Sequence, residues 1–161
     1  MKNNLIPMEQ HGFISSASTV TLMADCVFDW NLAVNEGKGV DIIYFDLTKA
    51  FDKVSHEKLL LKLQQLGIEC NILSWIQSYL EDRHMCVRVG NSFSQRFHCS
   101  SGVPQGGVLS PLLFVAYTYD LLSYLYTHPS IRIKMYADDI GIYGVYNNDN
   151  HGQIIAMYGY L

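Results

Sequence analysis

The chain has 161 residues, 49% of them hydrophobic and 16% charged. That length suits a single domain able to bury roughly 70% of its extended surface, and a composition without low-complexity runs excludes a disordered segment. The formal net charge of −4 and the lack of a basic stripe argue against a stand-alone binder held to nucleic acid by phosphate neutralisation.

Residues 1–15 are weakly patterned, and Pro7 and Gly12 interrupt any regular element there. Val20, Met23, Val27, Trp30 and Val34 then recur at three- and four-residue steps. This predicts a helix whose apolar stripe meets the core and which Gly37 and Gly39 end. Residues 40–45 form an apolar run rich in β-branched and aromatic side chains, read as a buried strand ending at Asp46. Ser55 is a good N-cap for a helix through Leu59, Leu60, Leu63 and Leu66, with Gly67 as its stop. Lys49, Lys53, Lys58 and Lys62 recur at helical spacing and read as a solvated face. A second helix is expected over 71–82.

Residues 85–89 and 93–99 alternate on either side of Gly90-Asn91-Ser92 and predict a hairpin. A glycine-rich turn follows. Residues 112–126, with Pro111 in the first turn and Pro129 beyond the end, predict one buried apolar helix. Residues 131–136 and 140–146 are strand-like and flank Asp138-Asp139 as a second hairpin. From Asn147 the chain turns polar, and HGQIIAMYGYL gives no clear element. Cys26, Cys70, Cys86 and Cys99 form neither a CxxC pair nor a zinc pattern and read as core thiols in a reducing compartment. With no signal-peptide core and no run of about 18 apolar residues, the expected protein is soluble and intracellular, in nucleus or cytoplasm, with no membrane partner.

Taken singly, Asp46 reads as a strand-terminal turn residue and Asp138-Asp139 as an ordinary hairpin turn. Together, a strand ending in Asp and a tight hairpin with two adjacent Asp residues bring three carboxylates together if the strands are neighbours in one sheet. Such a cluster repels itself unless cations fill it. Phosphoryl transfer by two divalent ions about 3.5–4 Å apart needs a cluster of this kind. Mg²⁺ suits hard oxygen ligands shared with substrate phosphates, and Mn²⁺ is the natural substitute. Ser110 and His56 lack a partner arrangement, so a hydrolase triad is not supported.

Three blocks carry a resemblance: YFDLTKAFDKV at 44–54, SGVPQGGVLSPLLF at 101–114 and YADD at 136–139. In order and wording, with QHGF at 10–13, they resemble the reverse transcriptases of non-LTR (LINE-type) retrotransposons. The resemblance implies an α+β fold, the right-hand polymerase palm with an antiparallel sheet packed on helices. Residues 1–39 would be residual fingers and a connecting helix, 40–146 the palm and 147–161 an unassigned tail, with the thumb absent. It implies an RNA-directed DNA polymerase working on an RNA template, a DNA primer and deoxynucleotides. Asp46, Asp138 and Asp139 would be catalytic and hold two Mg²⁺ ions, with the backbone carbonyl of Leu47 as a further ligand. Phe51 would be the steric gate against a ribose 2′-hydroxyl, and Pro104, Gln105 and Gly106 would meet the nucleotide.

The chain departs from the family at Ala17, where Arg is common, at Gly107 for Ser, at Tyr119 for Asn and at Gly141 for Lys. It also stops shortly after YADD. The alternative expectation is therefore a catalytically inactive retrotransposon remnant or a nucleic-acid-binding module, with any partner supplying the missing segments unknown. A viral RNA-directed RNA polymerase fits poorly because Phe51 fills the room a ribonucleotide needs.

Overall fold

The computed structural model describes residues 6–126 and 128–159. In chain order the elements begin α1 (Thr19–Asn35), β1 (Gly39–Asp46), α2 (His56–Gln65) and α3 (Cys70–Leu80). The short strands β2 (His84–Met85), β3 (Arg88–Val89), β4 (Ser92–Phe93) and β5 (Phe97–His98) follow. The remainder is α4 (Ser110–Tyr117), α5 (Leu121–Leu125), β6 (Ile131–Tyr136), β7 (Asp139–Tyr146) and α6 (His151–Tyr158). Helices with antiparallel sheets make the fold α+β, as expected. Backbone packing divides the chain into two compact units, residues 1–48 with 118–161, and residues 49–117.

The first unit is built on an antiparallel sheet in the order β1-β7-β6. Strand alternation sends Ile131, Ile133, Met135, Ile140 and Ile142 to one face, where they form a buried core with Leu122 of α5. The opposite face receives α1. Ser18 and Thr21 make a capping box at its start. At its end Gly37, at φ 70°, closes a Schellman turn in which the Lys38 amide donates to Ala33.

The face that α1 buries differs from the expected stripe. Val20 is 75% exposed and Val34 64%, while Cys26 and Ala33 are buried. Polar tethers decide the rotation: Asp25 takes an ion pair from Lys134 at 3.1 Å, and Asp29 accepts from the Tyr143 hydroxyl at 2.5 Å. Met23 and Trp30 alone of the expected stripe line the cleft between helix and sheet.

The tail also differs from expectation, because residues 151–158 form α6. Ile154 is buried against Gly144, where a Cβ would lie 2.7 Å from its Cγ2. Tyr158 donates to the Asp41 carbonyl at 2.9 Å. Among the described side chains, Ile154 and Tyr158, four residues apart, anchor this contact, too few to show as a periodicity.

In the second unit, α2, α3 and α4 pack Leu59, Leu63, Ile76, Leu80, Leu113 and Phe114 into one core. Ser55 caps α2 as expected, and Gly67 at φ 82° completes its Schellman turn. Lys62 is not the solvated cation that its spacing suggests. Its ammonium donates to the Tyr117 carbonyl at 2.6 Å and sits 5.0 Å from the centre of that tyrosine ring.

This contact bears on the helix expected over 112–126, which is broken in two. A continuous helix would give the Tyr117 carbonyl to the Leu121 amide, but that amide donates to Thr118 instead, in a tighter turn. The hairpin over 84–98 forms as expected, as two short ladders separated by a bulge.

Candidate active site

β1 ends where β7 begins, so the antiparallel register sets Asp46 directly opposite Asp139. Residues so paired place their Cβ atoms about 4.5–5.5 Å apart on one face of a sheet. Both are exposed, and among the described residues neither carboxylate takes a side-chain hydrogen bond or ion pair. Like charges directly opposed destabilise a sheet. The pair is thus a cost that the packing around it does not offset, and hard oxygen donors left unpaired in this way fit a divalent cation.

Asp138 is the second residue of the two-residue loop joining Tyr136 to Asp139. The first, Ala137, is buried at φ 58°, a left-handed conformation. Leu47 follows the end of β1 and is partly exposed. Among the described residues no group of three or more His, Cys, Asp or Glu side chains is gathered closely enough to hold a metal ion. The structure therefore brings Asp46 and Asp139 into register, with Asp138 in the adjoining turn.

Beside the pair lies a cleft of about 430 Å³ lined by Leu22, Cys26 and Trp30 of α1 and by Tyr44, Asp46 and Asp139 of the sheet. Its walls are mostly apolar. Burial, the largest influence, pushes the Cys26 thiol up from its ordinary range, against a smaller opposing pull from Lys134.

In the second unit, the SGVPQGG loop is tied to the chain after β1 by backbone bonds. The Gly102 amide donates to Val54 and the Val103 amide to Phe51. Gly102 sits at φ 85° with the Asp52 backbone 2.8 Å from where a Cβ would stand, so only glycine fits. Its carbonyl accepts from Arg83 at 2.5 Å, and the His56 ring nitrogen lies at 2.8 Å. Ser110 is buried and donates to the Pro104 carbonyl.

Gln105 and Gly106 are exposed at the loop's tip, and Gly106 has φ 82° with open space around its α-carbon. The Gln105 amide donates to Asp52 at 2.9 Å. A cleft of about 770 Å³ in this unit is lined by Lys49, Asp52, Arg83, His84, Pro104 and Gln105. Phe51 stacks on Phe114 with ring centres 4.4 Å apart and is packed against the unit's core. Gly107 has the Tyr79 hydroxyl 2.6 Å from the place a Cβ would take.

A reverse transcriptase (RNA-dependent DNA polymerase) family model matches residues 1–158. The chain belongs to the reverse transcriptase family. It is 34% identical over 145 residues to a probable RNA-directed DNA polymerase from transposon BS of Drosophila melanogaster, covering 88% of this chain and 16% of that protein. It is 39% identical over 113 residues to a retrovirus-related Pol polyprotein from the type-1 retrotransposable element R2 of Popillia japonica, covering 64% and 16%. The resemblance to non-LTR retrotransposon polymerases therefore holds, and this reverse transcriptase chain spans about a sixth of those relatives' length.

Its fold is similar to that of telomerase from Candida albicans in complex with a fragment of telomeric RNA. The TM-score is 0.67 at 15% identity, over 92% of this chain and 29% of that one. Among the described residues of this reverse transcriptase chain, no helix is long and apolar enough to cross a membrane.

Two residues, one in each unit, had no role in the sequence expectations. Asp52, the partner of Gln105, stands 53 positions away from it. Gln10, inside QHGF, reaches the YADD turn across 127 positions. No local periodicity or spacing signals pairs so distant.

Proposed function

We propose that the chain carries the nucleotide-addition centre of an RNA-directed DNA polymerase. The observation that supports this most is the Asp46–Asp139 pair, two unpaired carboxylates in direct register beside a turn that carries a third. Asp46, Asp138, Asp139 and the Leu47 carbonyl would hold Mg²⁺, or Mn²⁺ in its place. The bound cations would neutralise charge on the attacking hydroxyl, the α-phosphate and the departing pyrophosphate. The primer 3′-hydroxyl would release its proton to solvent as its oxygen forms the new bond to the α-phosphorus and the bond to pyrophosphate breaks, which demands positioning and electrostatics rather than a covalent intermediate.

Phe51 would exclude a ribose 2′-hydroxyl by the bulk of its ring. The Gln105 amide would hydrogen-bond the nucleotide. Pro104 would fix the loop that carries this amide, and Gly106, without a side chain, would allow close approach of the backbone. The partners are then an RNA template, a primer and deoxynucleotides.

Primer extension on an RNA template with Mg²⁺ tests the reading. Product from the wild type and none from Asp138→Ala is expected, and equal signals from the two would sink it. A second measurement addresses the metal alone. Mg²⁺ or Mn²⁺ should raise the melting temperature by binding only the folded state, and Asp46→Asn should abolish the rise. Metal-free Asp139→Asn should melt slightly higher than wild type, because it removes the opposed charge.

A second reading is a binding module without catalysis. The net charge of −4 and the absence of a three-acid group among the described residues favour it. Salt-sensitive binding of a primer–template duplex with no synthesis would select this reading over the first.

A further inference from the structure

A two-residue hairpin loop with positive φ at its first position alone is a type II′ geometry, which calls for glycine there. The loop between Tyr136 and Asp139 has this form, yet its first residue is Ala137 at φ 58°. A left-handed alanine persists only where its surroundings enforce it.

The enforcing group is Gln10, which is 4% exposed. Its Nε2 donates to the Ala137 carbonyl at 3.2 Å, and its Oε1 accepts from the Ala137 amide at 2.9 Å and from the Gly12 amide at 2.7 Å. One side-chain amide thus satisfies both backbone groups of the strained residue. The opposite amide orientation would set its NH₂ against two backbone donors, so the network admits only one.

The Gln10 backbone is held in turn. The His11 amide donates to Met135 at 2.8 Å and the Met135 amide to Glu9 at 2.9 Å, so residues 9–11 run along the end of β6. Gly12 completes the fit, because a Cβ there would stand 2.2 Å from the Ala137 nitrogen.

We propose that Gln10 is a positioning residue for the candidate metal site: its amide fixes Ala137 and so sets where Asp138 and Asp139, the next two residues, present their carboxylates. The assignment rests on the metal-binding reading above. It needs no contact of Gln10 with metal or nucleotide.

The test compares the full chain with Gln10→Met, which loses all three hydrogen bonds, and with Gln10→Glu, which keeps side-chain length and an acceptor but loses the donor. Hydrogen exchange at the Ala137 amide reads the clamp, and Mn²⁺ affinity by electron paramagnetic resonance reads its consequence. Exchange at least tenfold faster and a Mn²⁺ Kd at least tenfold higher are expected in Gln10→Met, with Gln10→Glu between it and wild type. Gln10→Glu decides the matter if Gln10→Met does not fold.

Ala137→Gly added to Gln10→Met should recover part of the affinity, because glycine adopts the turn unaided. Tyr126→Phe is the control. It cuts another tie of the same segment, the hydroxyl bond to Glu9 at 2.9 Å, and should leave the Kd within twofold.

Unchanged Ala137 protection in the Gln10 variants overturns the clamp. A Kd that moves no further than in Tyr126→Phe overturns its role in positioning while leaving the metal reading intact. Wild-type Mn²⁺ binding that survives in Asp139→Asn, or that is absent, overturns the metal reading itself and with it this assignment.

Discussion

Two hairpin turns in this chain share a backbone and reach it by different means. In the 88–93 hairpin, Gly90 takes φ 61° with nothing within 4 Å of where a Cβ would be. In the 136–139 hairpin, Ala137 takes φ 58° under three hydrogen bonds that involve the Gln10 side chain, two of them its own. The first turn is a local choice of residue, and its neighbours are exposed. The second is imposed from outside the hairpin, and it carries the acidic pair. A turn held by distant hydrogen bonds is preorganised in a way that a free glycine turn is not, which is what a site requiring fixed ligands needs.

The comparison breaks most sharply at Gly12. Gly12→Ala puts a methyl group 2.2 Å from a backbone nitrogen that cannot swing aside. A destabilisation of about 3 kcal/mol in urea unfolding, the upper end of ordinary overpacking, is expected. Gly90→Ala adds the same methyl group in open space and pays only for φ, about 1 kcal/mol. Equal costs for the two would mean that residues 9–12 yield and clamp nothing.

A smaller effect with opposite signs follows at the turns themselves. Ala137→Gly relieves about 1–2 kcal/mol of left-handed strain and loses about 0.4–1 kcal/mol through the freer unfolded chain. The net expectation is stabilisation of about 0.5 kcal/mol, against the loss at Gly90→Ala. Chemical denaturation of both variants checks the sign, and a destabilised Ala137→Gly would show that the turn carries no strain for Gln10 to offset.

How much was legible follows the same division between local and distant causes. Ser55 and Gly67 announce α2 because cap and stop act within five residues of the bonds they satisfy. β6 was legible from its alternation and β1 from a β-branched and aromatic run ending at Asp46, although that run is not the buried strand expected, since Tyr44 is 71% exposed. The break after Tyr117 was not, since Lys62, 55 positions earlier, takes the carbonyl a longer helix would need. The face of α1 was misread because the bonds of Asp25 to Lys134 and of Asp29 to Tyr143 on the sheet outweigh Val20 and Val34. Gln10 was visible only as a letter of QHGF.

Alkaline pH should loosen the clamped side first. Burial, and then the hydrogen bond to Glu9, push the Tyr126 phenol up from 10 to about 12. Burial, and then Asp29, push Tyr143 further in the same direction. A raised pKa favours the neutral phenol in the folded state, so this stability is fully present below pH 10 and is lost as pH rises through about 12. Denaturation midpoints for wild type and Tyr126→Phe should therefore converge above pH 10. A constant difference across that range would remove Tyr126 from the account.

The smallest expected effect lies in the glycine-turn hairpin. Its ladders pair Met85 with Phe97 and Arg88 with Phe93, which leaves two residues, 86–87, facing three, 94–96. Ser94 holds this bulge through its hydroxyl, which accepts from the Val87 amide at 2.8 Å and donates to the Gln95 carbonyl at 2.9 Å. Both bonds are exposed, so water replaces them in Ser94→Ala and the cost is about 0.5 kcal/mol. That corresponds to a shift in Tm of about 1–2 °C for a chain of this size. Exchange at the Val87 amide should quicken while protection at Ala137 stays as in wild type, because the described hydrogen bonds of Ala137 come from Gln10 and not from this bulge. A matching loss at Ala137 would mean the two turns are coupled and that the clamp is not the local device its hydrogen bonds describe.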